Sequence, residues 1–222
     1  MQKLYLGRWL CALAVAGSAG AAQAIGVTDG LDDYVPGYAG STLGDLDVIG
    51  AFVTYNVGND SFVFSGTMDN SIGLSTGGLY VWGLDRGAGT ARFAANGISG
   101  VLFDSIVVFN QDGSGTVRDL MPGGAVTALP AGTAVMAGST LIAQISGNLL
   151  PSQGLAKSSY TWNLWPRDGT LPAGFGQISD FAPDNSNFAV TPINAVPEPA
   201  SALLLAAGLA AVGWLARRRS LT

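Results

Sequence analysis

Val48-Ile49-Gly50-Ala51-Phe52-Val53-Thr54-Tyr55-Asn56-Val57 runs into Gly58-Asn59-Asp60, and Ser61-Phe62-Val63-Phe64 follows. Successive side chains of a strand point to opposite faces, so the first run sets Ile49, Ala51, Val53, Tyr55 and Val57 on one face. Asn and Asp beside Gly turn the chain, and Phe62 and Phe64 share a face of the returning strand. No helical repeat accounts for these residues. Similar units recur outward from this hairpin. Leu79 to Leu84 precedes a turn over Asp85 to Gly89 and a short strand at Thr90 to Ala94. Val101 to Phe109, Gly115 to Arg118, Thr140 to Ser146 and Tyr160 to Trp165 add further strands. Such short spacing, in a chain with 32 Gly, favours an antiparallel sandwich over alternating βαβ units. The expected fold is all-β, an antiparallel β-sandwich of jelly-roll or immunoglobulin-like kind over residues 25–191. Leu171 to Asn194, rich in Pro, Gly, Asn and Asp, reads as a loop, a last strand and the start of a linker.

The two ends have a different composition. Lys3 and Arg8 open the chain, Trp9 to Ala19 is apolar, and Ala22-Gln23-Ala24 offers the small-x-small pattern that signal peptidase reads. Residues 1–24 are therefore expected to be a signal helix, cut after Ala24. The single cysteine, Cys11, lies inside it, so the exported body must hold together without disulfides. About 170 residues suffice for one such core.

At the other end, residues 192–199 form a linker that contains Val196-Pro197-Glu198-Pro199. Two prolines keep the peptide extended, which is the form a protease cleft accepts. Residues 200–216 carry no charge and would make a transmembrane helix of about 25 Å. Arg217, Arg218 and Arg219, in the tail 217–222, would stop it on the cytoplasmic side. This order of motif, apolar helix and basic end closely resembles the PEP-CTERM sorting signal of Gram-negative bacteria. The resemblance implies an exosortase that recognises Pro197, Glu198 and Pro199, cuts near them and passes the body on. It implies residence in the inner membrane with the body in the periplasm, then a place at the cell surface or in the extracellular matrix.

Between Ile25 and Pro199 there are five basic residues (Arg86, Arg92, Arg118, Lys157, Arg167) against fifteen acidic ones, fourteen of them Asp. So acidic a body repels nucleic acid and anionic headgroups, while metal cations and neutral glycans fit it. The chain has no histidine. With no thiol left in the body either, a Ser-His-Asp triad, a Cys-His pair and an ordinary zinc site are excluded. Paired Asp residues could still cleave a glycosidic bond, although no pair stands out.

Two places suggest calcium. Asn110-Gln111-Asp112-Gly113-Ser114-Gly115-Thr116-Val117 has oxygen side chains at Asn110, Asp112 and Ser114, then Gly and an apolar residue at calcium-loop spacing. Met121 stands where the bidentate Glu belongs, and Asp-Gly between two apolar runs is equally a hairpin turn. Asp45 and Asp47, with Asp85, are the second candidate set. For sugar, Trp162 and Trp165 with Asn163, Arg167 and Asp168 could form a stacking platform, as could Tyr80 with Trp82. The competing role for each ring is core packing.

Gly44-Asp45-Leu46-Asp47-Val48 and Leu79-Tyr80-Val81-Trp82-Gly83-Leu84-Asp85 resemble the DOMON and family-nine carbohydrate-binding-module group. That resemblance implies an extracellular β-sandwich over roughly Asp29 to Thr191 that binds sugar or haem. Haem-binding members use histidine and methionine as axial ligands, so the lack of histidine speaks against that branch. The sequence thus leads to a non-enzymatic surface or matrix protein associated with extracellular polysaccharide. The alternatives are a carbohydrate-active enzyme with paired Asp and an ice-binding or other interfacial protein.

Overall fold

A computed structural model describes residues 25–193, together with 208 and 209. The body is two six-stranded sheets, packed face to face. The strands are β1 (Val27–Thr28), β2 (Val48–Asn56), β3 (Ser61–Met68), β4 (Gly78–Asp85), β5 (Ser105–Asn110) and β6 (Gly115–Asp119). They continue with β7 (Val126–Leu129), β8 (Ala134–Ala137), β9 (Thr140–Ser146), β10 (Thr161–Asp168), β11 (Phe188–Ala189) and β12 (Thr191–Ile193). The first sheet has the order β1-β2-β3-β9-β8, with β12 also on β2; the second has β11-β10-β4-β5-β6-β7. Every pairing is antiparallel except that of β12 with β2.

Alternation fills the space between the sheets. Val48, Ala51, Val53, Phe62, Phe64, Leu141, Ala143 and Ile145 come from one sheet, and Tyr80, Trp82, Leu84, Val107, Phe109, Trp162 and Leu164 from the other. Rings meet edge to face at the centre, with Trp82 5.6 Å from Phe109 and 5.8 Å from Phe64. Burial of these large apolar side chains contributes roughly 1.5–3 kcal/mol each, which lets the body fold without disulfides.

A second apolar cluster lies on the outer face of the β10-β4-β5 sheet. Val81 and Trp165 point outward there, beneath loops that bring Val101, Phe103, Ile178 and Phe181 down onto them. Gly83 leaves the space that the Trp165 indole fills, since a Cβ at Gly83 would collide with that ring.

The sequence reading of several elements needs correction. A bulge at Ile49 shifts the register between Val48 and Gly50, so Val48, not Ile49, joins Ala51 and Val53 in the core. Val57 lies past the end of β2 and is 51 % exposed. The expected strand at Thr90 to Ala94 is one isolated bridge, Thr90 to Phe103, followed by a 3-10 turn over Ala94–Asn96. Val101 and Phe103 belong to a loop that covers the outer face, and the strand begins only at Ser105. The expected signal segment with Ala22 and Ala24, the sorting residues Pro197, Glu198 and Pro199, and Arg217, Arg218 and Arg219 lie outside the described residues. Among the described residues no helix is long and apolar enough to cross a membrane.

Candidate functional site

Strand parity decides what the tryptophans do. Trp162 and Trp165 are three apart on β10, an odd separation, so they face opposite ways and form no common platform. Trp162 is fully buried between the sheets, with its Nε1 donating to Ala189 O at 3.3 Å. Trp82 is fully buried in the same core. Neither can stack on a sugar from solvent. Trp165 packs 4.8 Å from Phe103 and 5.2 Å from Phe93, as the wall of an outer groove.

That groove is about 300 Å³ in volume. Leu79, Val81, Ile106 and Val108, all outward-facing residues of β4 and β5, make its floor. Phe93, Phe103, Leu120 and Trp165 make its walls, and Arg92 and Arg167 stand at its rim. Arg92 lies 5.7 Å from the centre of the Phe103 ring and donates to Leu120 O at 3.3 Å. Arg167 donates to Gly174 O at 2.7 Å, its Nε is buried with no partner, and burial holds its guanidinium below the usual arginine range. Exposed Arg118 sits across from Ile106 on β6, on the same outward face.

The other two basic residues are committed elsewhere. Arg86 is buried against Asp104 and Asp119, and Lys157 pairs with Asp60 at 2.7 Å. Among the described residues, Arg92, Arg118 and Arg167 make no salt bridge, and all three belong to the outer face. Among the described residues, the acidic body thus carries a cationic, aromatic-lined groove. Sequence reasoning named Trp165 and Arg167 for sugar binding but did not join them to Arg92 and Arg118, because the three arginines are far apart in the chain. The parity of β6 and β10 was the signal that could have joined two of them.

The proposed metal ligands are not brought together as expected. Asn110, Asp112 and Ser114 close the β5-β6 turn upon themselves. Asp112 Oδ1 accepts from Ser114 N at 2.9 Å and from Ser114 Oγ at 2.6 Å, and Asn110 Nδ2 donates to Ser114 Oγ at 2.8 Å. Asp85 Oδ1 accepts from Gly87 N and Gly89 N, so Asp85 organises its own turn. Asp45 accepts from both the backbone and the hydroxyl of Ser75. Of that second set only Asp47 enters an acidic cluster, with partners the sequence did not suggest.

Asp47 ends the connection into β2, Asp29, Asp32 and Asp33 follow β1, Asp69 follows β3, and Asp180 and Asp184 lie after β10. Their carboxylates form three overlapping triads, Asp29-Asp33-Asp184, Asp33-Asp47-Asp180 and Asp32-Asp47-Asp69, with oxygens within 4.8 Å of one another in each. Burial, and then the charge of Asp29 and Asp33, pushes the Asp180 carboxyl up to about 8 despite its bonds from Val48 N and Phe181 N. Burial likewise pushes Asp29 up to about 6, with Asp33, Asp184 and Asp47 adding to it. Asp47 is raised by burial and by Asp33, Asp32 and Asp69.

Comparison with known proteins bears on the tail. Residues 195–219 match the model of the PEP-CTERM protein-sorting motif. No curated protein matches the chain. The match covers Pro197, Glu198, Pro199 and the three arginines, and the chain accordingly carries a PEP-CTERM sorting motif, the mark of an exported precursor that an exosortase recognises.

Proposed function

We propose that this protein is a non-enzymatic, exosortase-sorted component of the cell surface or extracellular matrix that holds an acidic polysaccharide. The observation that carries the reading is the outer groove, where Arg92 and Arg167 line an apolar floor and Arg118 stands on the same outward face, all three free of salt bridges among the described residues. A pyranose ring offers an apolar C–H face to Phe and Leu side chains. A uronate carboxylate or a sulfate offers the planar or tetrahedral oxygens that a guanidinium grips. Neutral glycans fit the acidic surface as a whole, but they leave Arg92, Arg118 and Arg167 without a counter-charge. Either polyanion, glycan or nucleic acid, meets the many aspartates elsewhere on the body, and duplex DNA, with one charge per about 1.7 Å of its axis, meets the greater repulsion.

Affinity electrophoresis of the exported protein tests the reading. Its migration should be retarded by polygalacturonate and not by dextran, and Arg92→Glu with Arg167→Glu should abolish the retardation. Unretarded migration through both glycans, or retardation that survives the double substitution, overturns it.

A further inference from the structure

Seven aspartates from four separate parts of the chain converge at one end of the sandwich, and their geometry points to a cation. The three triads share members: Asp33 belongs to two and Asp47 to two. Oxygens up to 4.8 Å apart are what a calcium ion at about 2.4 Å from each ligand requires. An independent observation comes from Asp47. Its side chain has no exposure, its Oδ2 accepts from Asp32 N at 2.8 Å, and its Oδ1 is buried with no hydrogen-bond partner. A buried carboxylate oxygen without a donor costs free energy that a native fold ordinarily avoids. Asp29 Oδ2 is in the same condition. No Lys or Arg forms a salt bridge with any of the seven among the described residues.

We propose that Asp33, Asp47 and Asp180 bind a calcium ion, with Asp29 and Asp184 beside Asp33 and with Asp32 and Asp69 beside Asp47. The donor set is all oxygen and all carboxylate, which suits a hard divalent cation and not zinc or copper. Asp180 is held for the purpose by Val48 N at 2.8 Å and Phe181 N at 2.6 Å, which fix the carboxylate and leave lone pairs over. Asp33 and Asp180 line a cavity of about 220 Å³ that also reaches Asp184 and Asn185, which gives the ion a way in from solvent. Calcium suits this place better than magnesium because a crowd of carboxylates favours a high coordination number over a strict octahedron.

The ion would act as a cross-link. It ties the segment after β1 to the entry of β2 and to the loop that carries Ile178 and Phe181, residues that cover the outer apolar cluster. A body without disulfides gains from such a link what other exported domains take from cystine.

The test uses the exported protein, stripped with chelator and dialysed. Addition of 10 mM calcium should raise its melting temperature by about 5–10 °C, for a site of roughly 10⁻⁴ M affinity. Titration calorimetry should show the same site directly. Asp33 is exposed, so Asp33→Asn should fold normally and lose most of the rise. Asp47→Asn should lose it entirely, while Asp112→Asn in the β5-β6 turn should keep it in full. The proposal is overturned if calcium gives no shift and no heat, if magnesium gives an equal shift, or if Asp33→Asn and Asp47→Asn respond like the parent protein.

Discussion

The Arg86 guanidinium and the Asp104 carboxylate, both without exposed side-chain surface, meet at 2.6 Å between Nε and Oδ1. Asp104 Oδ2 also accepts from Arg86 N at 3.0 Å and Ala88 N at 2.9 Å, and Arg86 reaches Asp119 and the carbonyl of Pro151. One buried cation therefore ties the end of β4 to β5, β6 and the segment before β10. Removal of either partner leaves an unpaired charge out of water. Arg86→Ala and Asp104→Ala are each expected to lower stability by about 3–5 kcal/mol, as read from urea midpoints. A double replacement by Met and Leu should recover part of that loss, because the desolvation cost disappears with both charges.

Gly83 pairs with Asn163 across the β4-β10 ladder, and Trp165, which pairs with Val81, lays its indole diagonally over Gly83 and occupies the place of a side chain there. Gly83→Ala should push Trp165 off the sheet, at a cost of about 1–3 kcal/mol. Trp165 is itself a wall of the groove, so its displacement should shift tryptophan fluorescence to the red and weaken acidic-glycan retardation together. A stable variant with unchanged fluorescence would contradict this packing.

The strands with strong alternation were legible in the sequence, because one face of each sheet fills the core and imposes a period of two on Phe62, Phe64, Tyr80 and Trp82. Thr140 to Ser146 was read to the residue for the same reason. The bulge at Ile49 was not legible, since a single extra residue changes parity without changing composition. Val126–Leu129 and Ala134–Ala137 escaped notice because edge strands need little hydrophobic signal. Phe93, Phe103, Phe175 and Phe181 come from loops, where no repeat announces that they share a cluster. The acidic triads were hidden for a related reason. Asp33 and Asp180 lie far apart in sequence, and only the tertiary fold makes them neighbours.

Acid should unfold the protein in a defined range. Burial alone would raise the Asp168 carboxyl, but the Thr170 hydroxyl and the backbone N–H groups of Ser41 and Thr170 outweigh it and hold Asp168 below the usual carboxylate range. Asp119 is lowered in the same manner, with burial opposed by Met121 N and by Arg86. A carboxyl whose folded value is depressed stabilises the fold above the unfolded value of about 3.9, and that contribution is lost as pH falls through the folded value. Melting temperature should thus drop steeply below about pH 4. Asp168→Asn should flatten part of that drop and lower stability at neutral pH. A melting temperature unchanged down to pH 2 would refute the assignment.

The sorting tail makes the most direct prediction about the life of the chain. An exosortase that recognises Pro197-Glu198-Pro199 should cut near it, separating the folded body from the apolar run and from Arg217, Arg218 and Arg219. Mass spectrometry of the surface form should then find a C-terminus close to residue 199 and an N-terminus near Ile25. Glu198→Ala should leave export intact, since the expected signal segment 1–24 is unchanged, and should retain the protein in the membrane with its C-terminal tail. Pro197→Ala with Pro199→Ala separates shape from charge. If the extended backbone is what the protease accepts, the double variant should accumulate as precursor even though Glu198 is present. A surface form that keeps the three arginines would show that the motif is not a cleavage signal in this protein.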